Sequence, residues 1–255
     1  MNAESLDEMI QKLEKIALRA DKASQVARDI QEIENVSSRL TFLDAQGKNR
    51  EVVAECFAQH QPDVCICLGG QIMLGLEKII HFYCDEWENK MQPELLEQVT
   101  KLFPDIPKIK ENTMAGWMKM HSMCTPYIIV AGDGKTAKGT WDSPGFVTGI
   151  MNNKLNCLWM FERIATDFIK EDGKWRIWHT LGMIQMSTPY EKSWAYSAME
   201  HADRERPDEL VVVNEPYNPK KLCGPLTPNF PPQPLPYETF SETFSYGPPF
   251  NFKTK

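Results

Sequence analysis

The sequence has little with which to hold a metal ion. Its five histidines are scattered, with no HxH or HExxH, and none of its seven cysteines forms a CxxC pair. No Cys/His cluster has ligand spacing, so no metal site is expected. Positive charge is scarce as well. Lys and Arg number 28 against 35 Asp and Glu, for a net charge of −7. A broad basic surface is excluded, and with it nucleic-acid binding as the main role. No run approaches the roughly 20 apolar residues that cross a bilayer, so no membrane partner is expected. The opening MNAESLDEMIQKLEK is acidic and amphipathic, unlike a secretory signal. The cysteines are odd in number and lie mostly in apolar runs. They read as buried, reduced thiols of a cytoplasmic protein rather than a disulfide framework.

Glycine and proline are also absent from the first 46 residues. Apolar side chains recur there at helical spacing: Leu6, Ile10, Leu13, Ala17, Ala20, Ala27, Ile30, Ile33 and Leu40. The pattern predicts one long helix, or two with a bend, over about 4–45. Its Ala-, Glu-, Lys- and Gln-rich first half is expected on a partner subunit or across the outside of the domain. A short helix is predicted at about 49–58, a strand at Val64–Cys67, a turn bracketed by Gly69-Gly70 and Gly75, and a helix from Leu74 to about Lys90. Residues 91–113 read as helical, then irregular.

Strands are predicted at about 115–124, 126–131, 135–149, 155–170 and 174–186. Their turns fall at Gly132-Asp133-Gly134 and Asn152-Asn153. Glu171-Asp172-Gly173-Lys174 joins two alternating segments and is a strong hairpin signal. Pro126 and Gly139 are expected at bulges or edges. The tail differs. Residues 207–255 hold 11 of the 18 prolines and eight aromatics. Disordered segments are poor in aromatics, so an extended arm that docks its rings on this subunit or a neighbour is expected.

Helices followed by a bent sheet, with Asp63-Val64 leading to Gly70, Gly75 and Ile79, resemble the SnoaL-like family of the nuclear transport factor 2 (NTF2-like) superfamily. His121, GDGKTAKGTW (Gly132–Trp141) and EDGKWRIWH (Glu171–His179) follow in the same order. The resemblance implies an α+β fold: a cone of N-terminal helices on a strongly curved antiparallel sheet, enclosing one pocket. It implies three regions: a helical extension over 1–24, the NTF2-like domain over 25–190, and a linker with a Pro- and aromatic-rich arm over 191–255. Enzymes of this superfamily, scytalone dehydratase and polyketide cyclases among them, commonly use no cofactor. They set an acid and a base in an apolar cone. Family members also pair through the outer sheet face, so a homo-oligomer is implied, joined through that face, the N-terminal helix and the C-terminal arm.

Candidate residues follow. Asp44 occupies the place of an active-site aspartate in scytalone dehydratase; otherwise it is a helix-end residue bonded to nearby backbone. His121 corresponds to a pocket histidine and could act as base, oriented by Asp44. The alternative is a core histidine. His179 ends the hairpin strand; since Trp178 and His179 alternate, only one faces the cone. Trp141 and Asp142 stand where scytalone dehydratase has a second histidine, and could line the pocket or serve as a polar partner. Glu162 interrupts an apolar strand. It pairs with a neighbour such as Arg176 or projects into the cone. Tyr83 and Trp117 could supply a phenol donor and an aromatic wall, or be core. The sequon at Asn35 lies inside a helix and carries no role. Together these imply a cofactor-independent lyase, dehydratase or isomerase acting on a small aromatic or cyclic molecule. The alternative is a non-enzymatic module that binds an apolar molecule or serves assembly.

Overall fold

The computed structural model describes residues 5–151, 153–195 and 230–252. Helix α1 spans Leu6–Ala45 without a break. Ser5 caps it: its hydroxyl accepts from the Glu8 amide while the Glu8 carboxylate accepts from the Ser5 amide, a reciprocal capping box. At 40 residues the helix is about 60 Å long. Only its second half meets the domain, through Asp29, Ile33, Ser37 and Leu43. Asp29 is the anchor. Its buried carboxylate accepts from Lys170 Nζ at 2.6 Å, Trp175 Nε1 at 2.9 Å and Gln25 Nε2 at 3.1 Å. Burial opposes its charge, but those donors hold the acid below its ordinary value.

Helix α2 (Asn49–Cys56) and the hairpin β1 (Cys65–Leu68) and β2 (Gln71–Leu74) follow. The Gly69-Gly70 turn has both φ angles positive, 56° and 92°, which glycine adopts freely. Sequence spacing predicts only a turn here. The structure adds strand β2 because Gln71–Leu74 pairs antiparallel with β1. A helical stretch then runs through α3 (Leu76–Ile80), two π-helical segments (His81–Asp85 and Trp87–Met91) and α4 (Gln92–Leu102).

The remaining strands are β3 (Met118–His121), β4 (Cys124–Val130), β5 (Thr136–Met151), β6 (Lys154–Glu171) and β7 (Lys174–Pro189). Sheet order is β2-β1-β7-β6-β5-β3, with β4 also on β5. Strands β6 and β7 are joined at Asp172-Gly173, both with positive φ (51° and 75°), as a two-residue hairpin turn requires. One feature departs from the expected all-antiparallel sheet: β1 pairs parallel to β7, Cys65 opposite His179. The strand is four residues long and buried almost throughout, so its direction leaves no trace in its pattern. The architecture is α+β, helices on a bent, mixed sheet, and the sheet is not closed.

Bulges bend the sheet at Cys124/Tyr127, Phe161/Glu162 and Asp167/Phe168. Pro126 lies at the first. Gly139 does not mark a bulge, since β5 and β6 pair without a register shift. It makes room for the Trp141 ring, whose Cη2 lies 2.2 Å from where a Cβ would stand.

The main core lies between helices and sheet, from Ile33, Val52, Phe57 and Ile79 to Trp141, Phe168 and Trp175. A second core lies on the other face. There Cys67, Ala165, Leu181 and Met183 are covered by Phe244 and Tyr246. Residues 230–252 are thus the docked part of the expected arm, on the chain's own sheet. Each ring so buried contributes about 2–3 kcal/mol. Cys56, Cys65, Cys67 and Cys84 are buried and unpaired, Cys124 and Cys157 half-buried and unpaired; Cys223 lies outside the described residues. No described helix is long and apolar enough to cross a membrane.

Candidate active site

The side chains of β5 and β6 alternate between the two faces, and that alternation sorts the candidate residues. Trp141 faces Ile164, Ser143 faces Glu162 and Gly145 faces Met160 and His121, all on the helix-covered face. Lys119, two residues before His121 on β3, shares this face.

The helix-covered face brings together His121, Glu162, Lys119, Asp44 and Tyr83. His121 Nδ1 stands 3.6 Å from Glu162 Oε2. Both side chains are mostly buried, 15% and 16% exposed, so the pair is shielded from water. Burial acts on the two groups in opposite directions. It pushes the Glu162 carboxyl up to about 7, with Asp44 raising it further and Lys119 pulling it back. It holds the His121 imidazole below its ordinary value, aided by Lys119 and opposed by Asp44. Near neutral pH the imidazole is therefore uncharged while the carboxyl is about half protonated.

Asp44 does not orient His121 directly. Its carboxylate pairs with Lys119 Nζ at 2.5 Å, and it acts on His121 through charge alone. Glu162 does not pair with Arg176, which donates instead to the Ala54 and Glu55 carbonyls. The Tyr83 phenol is pushed well up by burial, then by Asp44, Cys56 and Glu162. It stays a protonated donor.

His121 lies here because β5 leaves room for it. A Cβ at Gly145 would fall 2.9 Å from His121 Nδ1 and 2.4 Å from the Met120 carbonyl oxygen. Two tryptophans use the same device. Trp141 lies over Gly139, and Trp117 over Gly149. Gly149 is four residues beyond Gly145, which places the Trp117 ring about 13 Å along the sheet from His121. Trp141 packs edge-on against Phe168, centroids 5.8 Å apart, within the core. Three buried polar atoms on this face have no hydrogen-bond partner among the described residues: His121 Nδ1, Ser143 Oγ and Trp117 Nε1. Buried polar groups are seldom left so.

His179 and Asp142 lie elsewhere. Trp178 is the extra residue at the Asp167/Phe168 bulge, since Asp167 faces His179 and Phe168 faces Ile177. That insertion turns His179 to the arm-covered face. There its Nδ1 meets Asp167 at 2.9 Å, and Ser245 lies within reach of both. Asp167 also accepts the Tyr246 amide at 2.8 Å and pairs with the fully buried Lys138. Lys138 Nζ sits 4.7–4.9 Å from the ring centres of Phe240, Phe244 and Tyr246. Serine and carboxylate meet the same imidazole nitrogen, so the imidazole cannot relay a proton from one to the other, as a nucleophilic triad requires. The group clamps the arm. Asp142 is on this face too, accepting from Arg163 Nε at 2.9 Å.

Lys119, Lys138, Asp167 and Ser245 were not among the sequence candidates. Lys119 was signalled only by its two-residue spacing from His121. Lys138 sits in a short alternating run and carried no signal of burial. Among the described residues, no group of three or more His, Cys, Asp or Glu could hold a metal ion.

No family model matches the chain, and no curated protein matches it. Solved structures do resemble it, NTF2-like proteins among them. One is an NTF2-like protein with a cystatin-like fold from Novosphingobium aromaticivorans. It is 12% identical, with TM-score 0.42, covering 72% of this chain and 92% of that one. Another is a hexachlorocyclohexane dehydrochlorinase, 13% identical, TM-score 0.41, covering 70% and 92%. A third is a CamKII hub homology domain from Chlamydomonas reinhardtii, 14% identical, TM-score 0.40, covering 61% and 97%. At such identities the likeness is one of fold alone.

Proposed function

We propose that this protein is a cofactor-independent lyase, dehydratase or isomerase that moves protons on a small aromatic or cyclic molecule. The observation that supports this reading best is the His121–Glu162 pair: buried, 3.6 Å apart, and shifted in opposite directions. A neutral imidazole and a carboxyl that titrates near neutrality are a matched base and acid. His121 takes a proton from a carbon acid or hydroxyl. Glu162 stabilises the resulting imidazolium or returns the proton. Tyr83 donates to a leaving group or a developing oxyanion, and Lys119, held by Asp44, adds positive charge at the edge of the site. Trp117 supplies an aromatic wall at one end, while Trp141 belongs to the core beneath. The regions 1–24, 25–190 and 191–255 serve as extension, catalytic domain and arm. The protein is read as cytoplasmic and homo-oligomeric.

The test uses the whole chain against a panel of cyclic ketones and aryl β-hydroxy ketones in D2O, followed by NMR. Deuterium uptake or elimination is expected. His121→Asn and Glu162→Gln are each expected to slow it by about 10²–10⁴-fold. Equal rates in the wild type and both variants would discard the acid–base reading and leave a binding or assembly module.

A further inference from the structure

The first half of α1 presents an apolar stripe that its own domain does not touch. Leu6, Leu13 and Ile16 are 69%, 64% and 54% exposed, and Met9 and Ile10 lie beside them. Four-then-three spacing runs through Leu6, Ile10, Leu13, Ala17 and Ala20, passes the polar Ser24 and resumes at Ala27, the seam of a coiled coil. The domain-facing residues repeat the same spacing later: Asp29, Ile33, Val36 and Leu40 are Met9, Leu13, Ile16 and Ala20 displaced by twenty positions. Twenty residues are roughly five and a half turns. The stripe therefore points directly away from the body, and no bend short of a reversal would bring it back.

Charge selects the occupant. One edge of the stripe is acidic, with Asp7, Glu14 and Asp21; the other is basic, with Lys12 and Arg19. If two copies pair side by side in the same direction, each acidic edge meets a basic edge, twice over. Antiparallel pairing would set acid against acid. The acidic edge also disfavours a negatively charged membrane surface. The half-turn offset places the two bodies on the outer sides of such a pair, where they do not collide.

We propose that residues 6–27 of two copies form a parallel, two-stranded coiled coil, and that this helix is what joins protomers. The proposal shares with the functional reading only the claim that copies associate; association and turnover are measured separately. On the far face of the sheet, Cys67, Ala165, Leu181 and Met183 are covered by the chain's own arm.

Sedimentation velocity on the full chain is expected to give a dimer. Leu13→Asp is expected to raise the dimer dissociation constant at least a hundredfold while leaving the far-ultraviolet spectrum and the proton-exchange rates unchanged. Leu6→Cys is expected to cross-link the dimer on mild oxidation, with the wild-type chain as control for native thiols. In an antiparallel pair the two Cys side chains would be about 31 Å apart and would not join. A monomeric wild type, a dimer indifferent to Leu13→Asp, or a dimer that Leu6→Cys fails to cross-link would each overturn the proposal.

Discussion

Replacing Glu162 by Gln converts the buried acid permanently to a neutral isostere, and its effect on stability depends on pH in a calculable way. In the folded chain the carboxyl titrates at about 7, against an ordinary value of 4.5. Its folded pKa is raised, so the folded state binds more protons than the unfolded state between these values. Stability must then fall as pH rises through that window, and stay low above it. At about 1.4 kcal/mol per pH unit, the whole gap is worth about 3 kcal/mol. Glutamine escapes this penalty. The variant should therefore be more stable than wild type by about 3 kcal/mol at pH 8.5, but by less than about 1 kcal/mol at pH 5. Urea denaturation of both proteins at the two pH values measures the difference, and wild-type carboxylates common to both cancel. A variant that gains the same stability at pH 5 and pH 8.5, or loses it at both, would show that Glu162 is not held neutral by burial. The same protein should be impaired in proton transfer, so stability and activity would move in opposite directions at pH 8.5.

Three further perturbations test the frame around the site. Gly145→Ala places a methyl 2.4 Å from the Met120 carbonyl, so β3 must shift; a loss of about 1–3 kcal/mol is expected, with the His121 ring resonances displaced in NMR spectra. Asp29→Ala orphans Lys170 and the Trp175 indole beneath α1, and thermal unfolding should report a loss of about 3–5 kcal/mol. Because Asp29 is held below its ordinary value, its contribution is present above that value and is lost as pH falls through the lower folded one. Lys138→Met leaves the Asp167 charge buried without its cation. A loss of about 3–5 kcal/mol is expected, and limited proteolysis should cut within 230–252 more readily.

Local chemistry made much of this fold legible. The uninterrupted helical spacing of α1, the Asp172-Gly173 turn and the long alternation of β5 to β7 are all properties of neighbouring residues. The parallel pairing of β1 with β7 was not legible, because a short buried strand carries no sign of its direction. The site divides the same way. Glu162 announces itself as a charge in an apolar strand, and His121 follows from its strand position in the family resemblance. Which face each residue takes is harder. A single extra residue, Trp178, at a bulge sends His179 to the far side, and strand parity sends Asp142 there as well. Lys138 looks like an ordinary surface lysine until the arm, some hundred residues on, closes over it. Its burial depends on a contact no local window contains.

That closure makes the arm a tethered ligand. Phe240, Phe244 and Tyr246 meet Lys138 on a face to which they are already joined by the chain itself. Tethering makes docking of the arm an intramolecular event, with an effective concentration that a free copy must match. A free peptide copied from 230–252 therefore competes with the attached arm only at comparable concentrations, and a neighbouring protomer's arm is at the same disadvantage. The outer sheet face is in this sense occupied before any partner arrives.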